Sequence, residues 1–112
     1  MSMTFDEYQK AALKTAISSG DDLLDMCHWV LGITGEGGEI AEKLKKLIRD
    51  HKGTVSDEAK HEIAKEIGDV LWYLAVLADS LGVSLGDLAQ LNIDKLASRQ
   101  ARGVLGGSGD NR

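Results

Sequence analysis

Two stretches of this sequence superpose when one is shifted by thirty residues. Ile33 falls on Ile63, Glu36 on Glu66, Gly38 on Gly68 and Glu39 on Asp69. Ile40 then meets Val70, Leu44 meets Leu74, and Leu47 meets Leu77. At about 100° per residue each stretch carries a single apolar stripe. One holds Trp29, Ile33, Ile40, Leu44 and Leu47; the other holds Ile63, Ile67, Val70, Leu74 and Leu77. Two amphipathic helices in the same phase can bury their stripes against each other, and the pair is then pseudo-symmetric. Few segments alternate at period two, and proline is absent where average usage would supply about five or six. The chain is therefore expected to be all-α.

Four helices are expected. The first runs from Phe5 to Ser18 behind a Thr4/Glu7 capping box. The second runs from Asp22 to Asp50, with Ser19 and Asp22 as its cap pair and a possible break near Gly32–Gly35. The third runs from Asp57 to Leu81, opened by Ser56 or Thr54 and closed by Gly82. The fourth runs from Leu85 to Arg102 behind Ser84 and Asp87. Residues 1–102 are read as one helical domain and residues 103–112 as a glycine-rich basic tail, mobile in isolation.

Thirteen basic and eighteen acidic residues leave a net charge of −5, which lacks the basic field of a general nucleic-acid binder. Cys27 is the only cysteine, so an internal disulfide and a cysteine-rich zinc site are excluded. The longest apolar run, Val70 to Ala78, has nine residues, against the ~20 a helix needs to cross a bilayer. The amino-terminal residues lack the apolar core of a secretory signal. A cytoplasmic location is expected.

The repeat carries the chemistry. Glu36/Glu39 and Glu66/Asp69 are each i,i+3 pairs. In both helices the first acid lies about 60° and the second about 120° from the centre of the apolar stripe. Packed stripes would therefore bring four carboxylates to one edge of the seam. Such a cluster repels itself unless cations neutralise it, and hard divalent ions take oxygen ligands of this kind. A lone E-x-x-E is usually a solvated helix face; two pairs in the same phase are not. Asp25-x-x-His28 and Glu58-x-x-His61 superficially match a di-iron motif. However, His61 lies about 140° from Glu66 on the wheel, too far round for one metal centre to use both.

These residues resemble the MazG-like family of all-α nucleoside triphosphate pyrophosphohydrolases, whose signature is E-x-x-E, a spacer, then E-x-x-D. Here the halves are Glu36-Gly37-Gly38-Glu39 and Glu66-Ile67-Gly68-Asp69, twenty-six residues apart. Lys45 and Lys46 follow the first half as in many members, and Asn92, Lys95, Leu96 and Arg99 match an N-x-x-K-L-x-x-R pattern. The likeness spans residues 5–102.

The resemblance implies Mg²⁺-dependent cleavage of a (d)NTP to a (d)NMP and pyrophosphate, in nucleotide-pool cleaning, with Mn²⁺ as a substitute ion. It implies Glu36, Glu39, Glu66 and Asp69 as metal ligands, with Glu36 also the catalytic base or water-orienting group. One departure is Gly35, where many relatives carry a further acid. A dUTP/dCTP-type or phosphoribosyl-ATP-type specificity within the superfamily stays open, as does a non-catalytic helical interaction module.

Asn92, Lys95 and Arg99 lie on one face of the fourth helix, and the resemblance makes them phosphate or sugar contacts. Lys43 and Lys46 share the acids' edge and can reach phosphate or pair with neighbouring acids. Trp29 and Tyr73 lie near that edge and can stack on a base, although core packing is the commoner fate. Trp72 falls about 180° from the apolar stripe of its helix. That placement points to a second buried face, against another helix or subunit, and to a homodimer or dimer of dimers. From Lys95 onward four basic residues (Lys95, Arg99, Arg102 and Arg112) face one acid, Asp110, and the glycine-rich tail can fold around a triphosphate.

Overall fold

The computed structural model describes residues 2–112; Met1, where the expected domain begins, lies outside the described residues. Four helices form: α1 (Phe5–Leu13), α2 (Asp22–His51), α3 (Asp57–Ser80) and α4 (Leu85–Ala101). The described residues contain no strand. Helix α2 and helix α3 make a long hairpin, α1 lies across α3, and α4 leaves α3 at about 100°. Among the described residues no single helix is long and apolar enough to cross a membrane.

Helix α2 runs unbroken through all four of its glycines, which closes the question of a break near Gly32–Gly35. At 1.5 Å per residue its thirty residues span about 45 Å. Its N-cap is Asp21, whose side chain accepts from the Leu24 N–H at 3.0 Å, in place of the expected Ser19/Asp22 pair. Ser19 is engaged elsewhere. Its N–H and hydroxyl, with the Ser18 hydroxyl, all donate to the Asp25 carboxylate at 2.7–2.9 Å. Those bonds hold the Asp25 carboxyl below its ordinary value, Ser19 contributing most.

The same anchoring shortens α1, which stops at Leu13 and not at Ser18. Its last turn tightens, Thr15 and Ala16 donating three residues back. The Thr15 hydroxyl then accepts from the Trp72 indole N–H at 2.9 Å. The tertiary partners offered by Trp72 and Asp25 outweigh further helix in a β-branched, serine-rich stretch.

Trp72 thus has its second face, but within the chain. Its ring meets Trp29 edge-on at 5.7 Å and Tyr73 at 5.0 Å, under α1 and the turn after it. It calls for no partner subunit, and the dimer expectation loses that support. It also loses the exposed Trp72 face on which an interaction-module reading depends.

The buried core is small and lies at one end of the hairpin: Ala12, Trp29, Ala75, Val76 and Leu85, with Tyr8, Leu13 and Leu71 against them. Gln9 ties this end together. Its Nε2 donates to the Ala75 and Val83 carbonyls at 3.1 Å, and its Oε1 accepts from the Leu85 N–H at 3.0 Å. Asp6 accepts from the Gly86 N–H at 2.9 Å, in the first turn of α4. Both bonds use donors that a helix start leaves free.

Beyond that corner the fold is open. Leu44, Ile67 and Leu74 of the two apolar stripes stay 41–56% exposed, because two helices cannot enclose a stripe on their own. Every residue from Gln90 to Ser98 is exposed, so α4 projects as an arm. The radius of gyration is 17.0 Å, against about 13 Å for a compact chain of this length. The accessible surface is 8151 Å², against roughly 6000 Å² for a folded monomer of this mass.

Candidate metal centre

Three of the four expected carboxylates converge. Glu36 from α2 and Glu66 and Asp69 from α3 each offer an oxygen, all lying within 4.8 Å of one another. The hairpin register brings them together, and the i,i+3 spacing of Glu66 and Asp69 puts both on the face that meets α2. Glu39 does not belong to this group. It is exposed, one turn further along α2, although its charge is felt at Glu36. A six-coordinate Mg²⁺ at 2.0–2.1 Å from its ligands places them roughly 3–4 Å apart, so small rotations of the three side chains suffice.

Electrostatics mark the same place. The Glu36 carboxyl is pushed up to about 7. A hydrogen bond with Glu66 is the largest cause, followed by burial and then by the charges of Glu66, Asp69 and Glu39. Three anions this close relieve repulsion by sharing a proton, or by binding a cation that displaces it. Lys43 is the nearest counter-charge, its Nζ 3.8 Å from Glu66 Oε1. Tyr8 of α1 also stands near, its hydroxyl pushed up first by burial and then by the Asp69 charge. Nothing in the α1 pattern singled it out, since its place beside Asp69 depends on how α1 crosses α3.

The other expected site residues are dispersed. Lys46 is exposed and 3.9 Å from Glu42. Trp29 is 4% exposed, stacked on His28 at 4.8 Å, and serves as core. Tyr73 lies flat on the α2 backbone at Gly32, where an added Cβ would stand 2.2 Å from its ring. That contact explains the glycine. By contrast, Cβ atoms at Gly35, Gly37, Gly38 and Gly68 would meet nothing within 4 Å. Asn92 and Lys95 stand exposed on the α4 arm, and Arg99 is buried beneath the tail.

This is an all-helical fold whose central hairpin joins three carboxylates across its seam. The family model of the MazG nucleotide pyrophosphohydrolase domain matches residues 27–104, and the chain belongs to that family. It is 46% identical to the Gene 37 protein of Mycobacterium phage L5, over 98% of this chain and all of that protein. It is 38% identical to the uncharacterized protein YvdC of Bacillus subtilis (strain 168), over 57% of this chain and 65% of that protein. No solved structure matches it significantly.

Proposed function

We propose that the chain is a divalent-metal-dependent nucleoside triphosphate pyrophosphohydrolase, acting on (d)NTPs in the cytoplasm and releasing a monophosphate and pyrophosphate. The observation that carries this reading is the Glu36/Glu66/Asp69 cluster, in a chain that belongs to the MazG family. Those three residues would hold Mg²⁺, or Mn²⁺ in its place, with Glu39 available one turn away. The bound ion would neutralise the phosphate charge that an acidic cleft otherwise repels. Glu36, nearest both α3 acids, accepts the proton of the attacking water at its carboxylate oxygen. Lys43 Nζ, beside Glu66, is placed to meet a phosphate oxygen on the same edge.

The enzyme is proposed to work as a homodimer or a dimer of dimers. Support comes from the surface in excess of a monomer's, about 2000 Å², against the roughly 800 Å² per partner of a standard interface. Leu88, Leu91, Ile93 and Leu96 of the arm are exposed, as are Leu44 and Ile67 of the hairpin stripes. An arm that swings away from its own carboxylates is suited to bring Asn92 and Lys95 to those of a second copy.

The test is product analysis with a panel of standard and altered (d)NTPs, with Mg²⁺ and then with EDTA. Metal-dependent monophosphate plus pyrophosphate is expected. Orthophosphate alone would replace this reaction with a phosphatase. The ranking across the panel separates general pool cleaning from dUTP/dCTP-type or phosphoribosyl-ATP-type specificity.

A further inference from the structure

The last ten residues are not a loose tail. Residues 103–112 turn back over the end of α4, with Gly103, Gly107 and Gly109 at positive φ where side chains would strain. Arg112 fastens the loop from inside: its guanidinium donates to the Val104, Leu105 and Gly109 carbonyls at 2.6–3.0 Å. Arg102 Nη2 donates to the Arg112 main-chain oxygen at 2.9 Å. Underneath lies Arg99, only 6% exposed, with Nη2 on the Asp110 carbonyl at 2.5 Å.

That burial is incomplete as chemistry. The Nε of Arg99 is shut away from water with no acceptor. Among the described residues no Asp or Glu side chain pairs with Arg99, Arg102 or Arg112. A covered guanidinium without an anion, and with an idle donor, costs free energy. A plain helix C-cap accounts for Arg102, which sits at the negative end of the dipole. It does not account for Arg99 beneath a cover that leaves Nε unserved. A phosphate oxygen pair would satisfy Nε and Nη2 together, in a charge-assisted fork stronger than one neutral carbonyl.

We infer that residues 103–112 are a displaceable strap over a phosphate-binding guanidinium, that of Arg99, which the polyphosphate of the substrate must lift to reach it. This rests on the nucleotide-hydrolase reading above and adds its regulation: the closed strap lowers apparent affinity by the fraction of molecules that are open. Arg112 is the latch, because it holds the strap without touching Arg99.

The test is calorimetric titration of inorganic tripolyphosphate in EDTA, where the metal-free carboxylates repel the probe and the arginines report it. R112A is expected to bind about three- to tenfold more tightly than the full chain, and R112A/R99Q to lose that gain. Amide exchange gives a second readout in the unaltered protein: Val104, whose N–H donates to the Arg99 carbonyl at 2.9 Å, should exchange faster when tripolyphosphate is added. Equal or weaker binding by R112A, a gain that survives R99Q, or slowed exchange at Val104 would each overturn the strap. Mg²⁺-dependent pyrophosphate release by the full chain is measured separately. A chain that turns over nucleotides while R112A binds no tighter keeps the enzyme reading and loses the strap.

Discussion

The two ends of the α2–α3 hairpin are built from the same kind of helix and differ in what covers them. At one end α1 and the turn after it close over Trp29, Trp72, Ala75 and Val76, and Gln9 and Asp6 bond to the α3–α4 corner. At the other end no helix covers the seam, and Leu44 and Ile67 of its two stripes stay in water. Glycine records the difference. Gly32 is needed because an aromatic ring presses on the backbone, while Gly38 and Gly68 face open space. The closed end holds the register, so that the open end can keep like charges together.

The largest effect is expected at the open end. Glu66→Gln or Asp69→Asn should lower turnover at least about a hundredfold, with helical circular dichroism unchanged. Glu39→Gln should cost less; an equal loss would mean that Glu39 closes onto the ion with the others. At the closed end, Gly32→Ala drives a methyl into Tyr73 and should cost roughly 2 kcal/mol, a drop in Tm of the order of 10 °C.

Gln9→Ala removes the partners of the Val83 carbonyl and the Leu85 N–H, and should cost about 2 kcal/mol in thermal unfolding. Gly38→Ala and Gly68→Ala should do the reverse, each adding about 1 kcal/mol to the metal-free chain. If they also abolish turnover, a substrate or a second copy approaches the backbone there, and the open end is not open at work.

The smallest effect is a pH dependence. The folded Asp25 carboxyl titrates below its ordinary value of 3.8. Its contribution to stability is present above that value and is lost as pH falls through the lowered one. Asp25→Asn should flatten the acid limb of the Tm–pH profile below about pH 4. An unchanged limb would mean that the Ser18/Ser19 anchor contributes nothing to the closed end.

Much of this was legible in the chain because it depends on local spacing. The caps at Thr4, Ser56 and Ser84, the ends of α3 and α4 to within a residue, and the pairing of Glu36 with Glu66 and Asp69 follow from period and phase. The misjudged features involve partners distant in sequence. Thr15 and Ser19 read as helix and cap until Trp72 and Asp25 claim them. Trp72 reads as buried against another helix or a subunit, and only the fold shows that the cover is α1 and the turn after it. Arg99 reads as part of one exposed face with Asn92 and Lys95 until Asp110, eleven residues on, folds back over it.

By itself the sequence determined the four helices, the phase of the two apolar stripes and the acids at their edge. Each of these is a consequence of 3.6 residues per turn acting on neighbours. The tertiary structure decided which acids meet, which aromatics are core, and that α4 stands away with Asn92 and Lys95 exposed. Those outcomes turn on competition between long-range hydrogen bonds and burial, and no window of sequence contains both competitors.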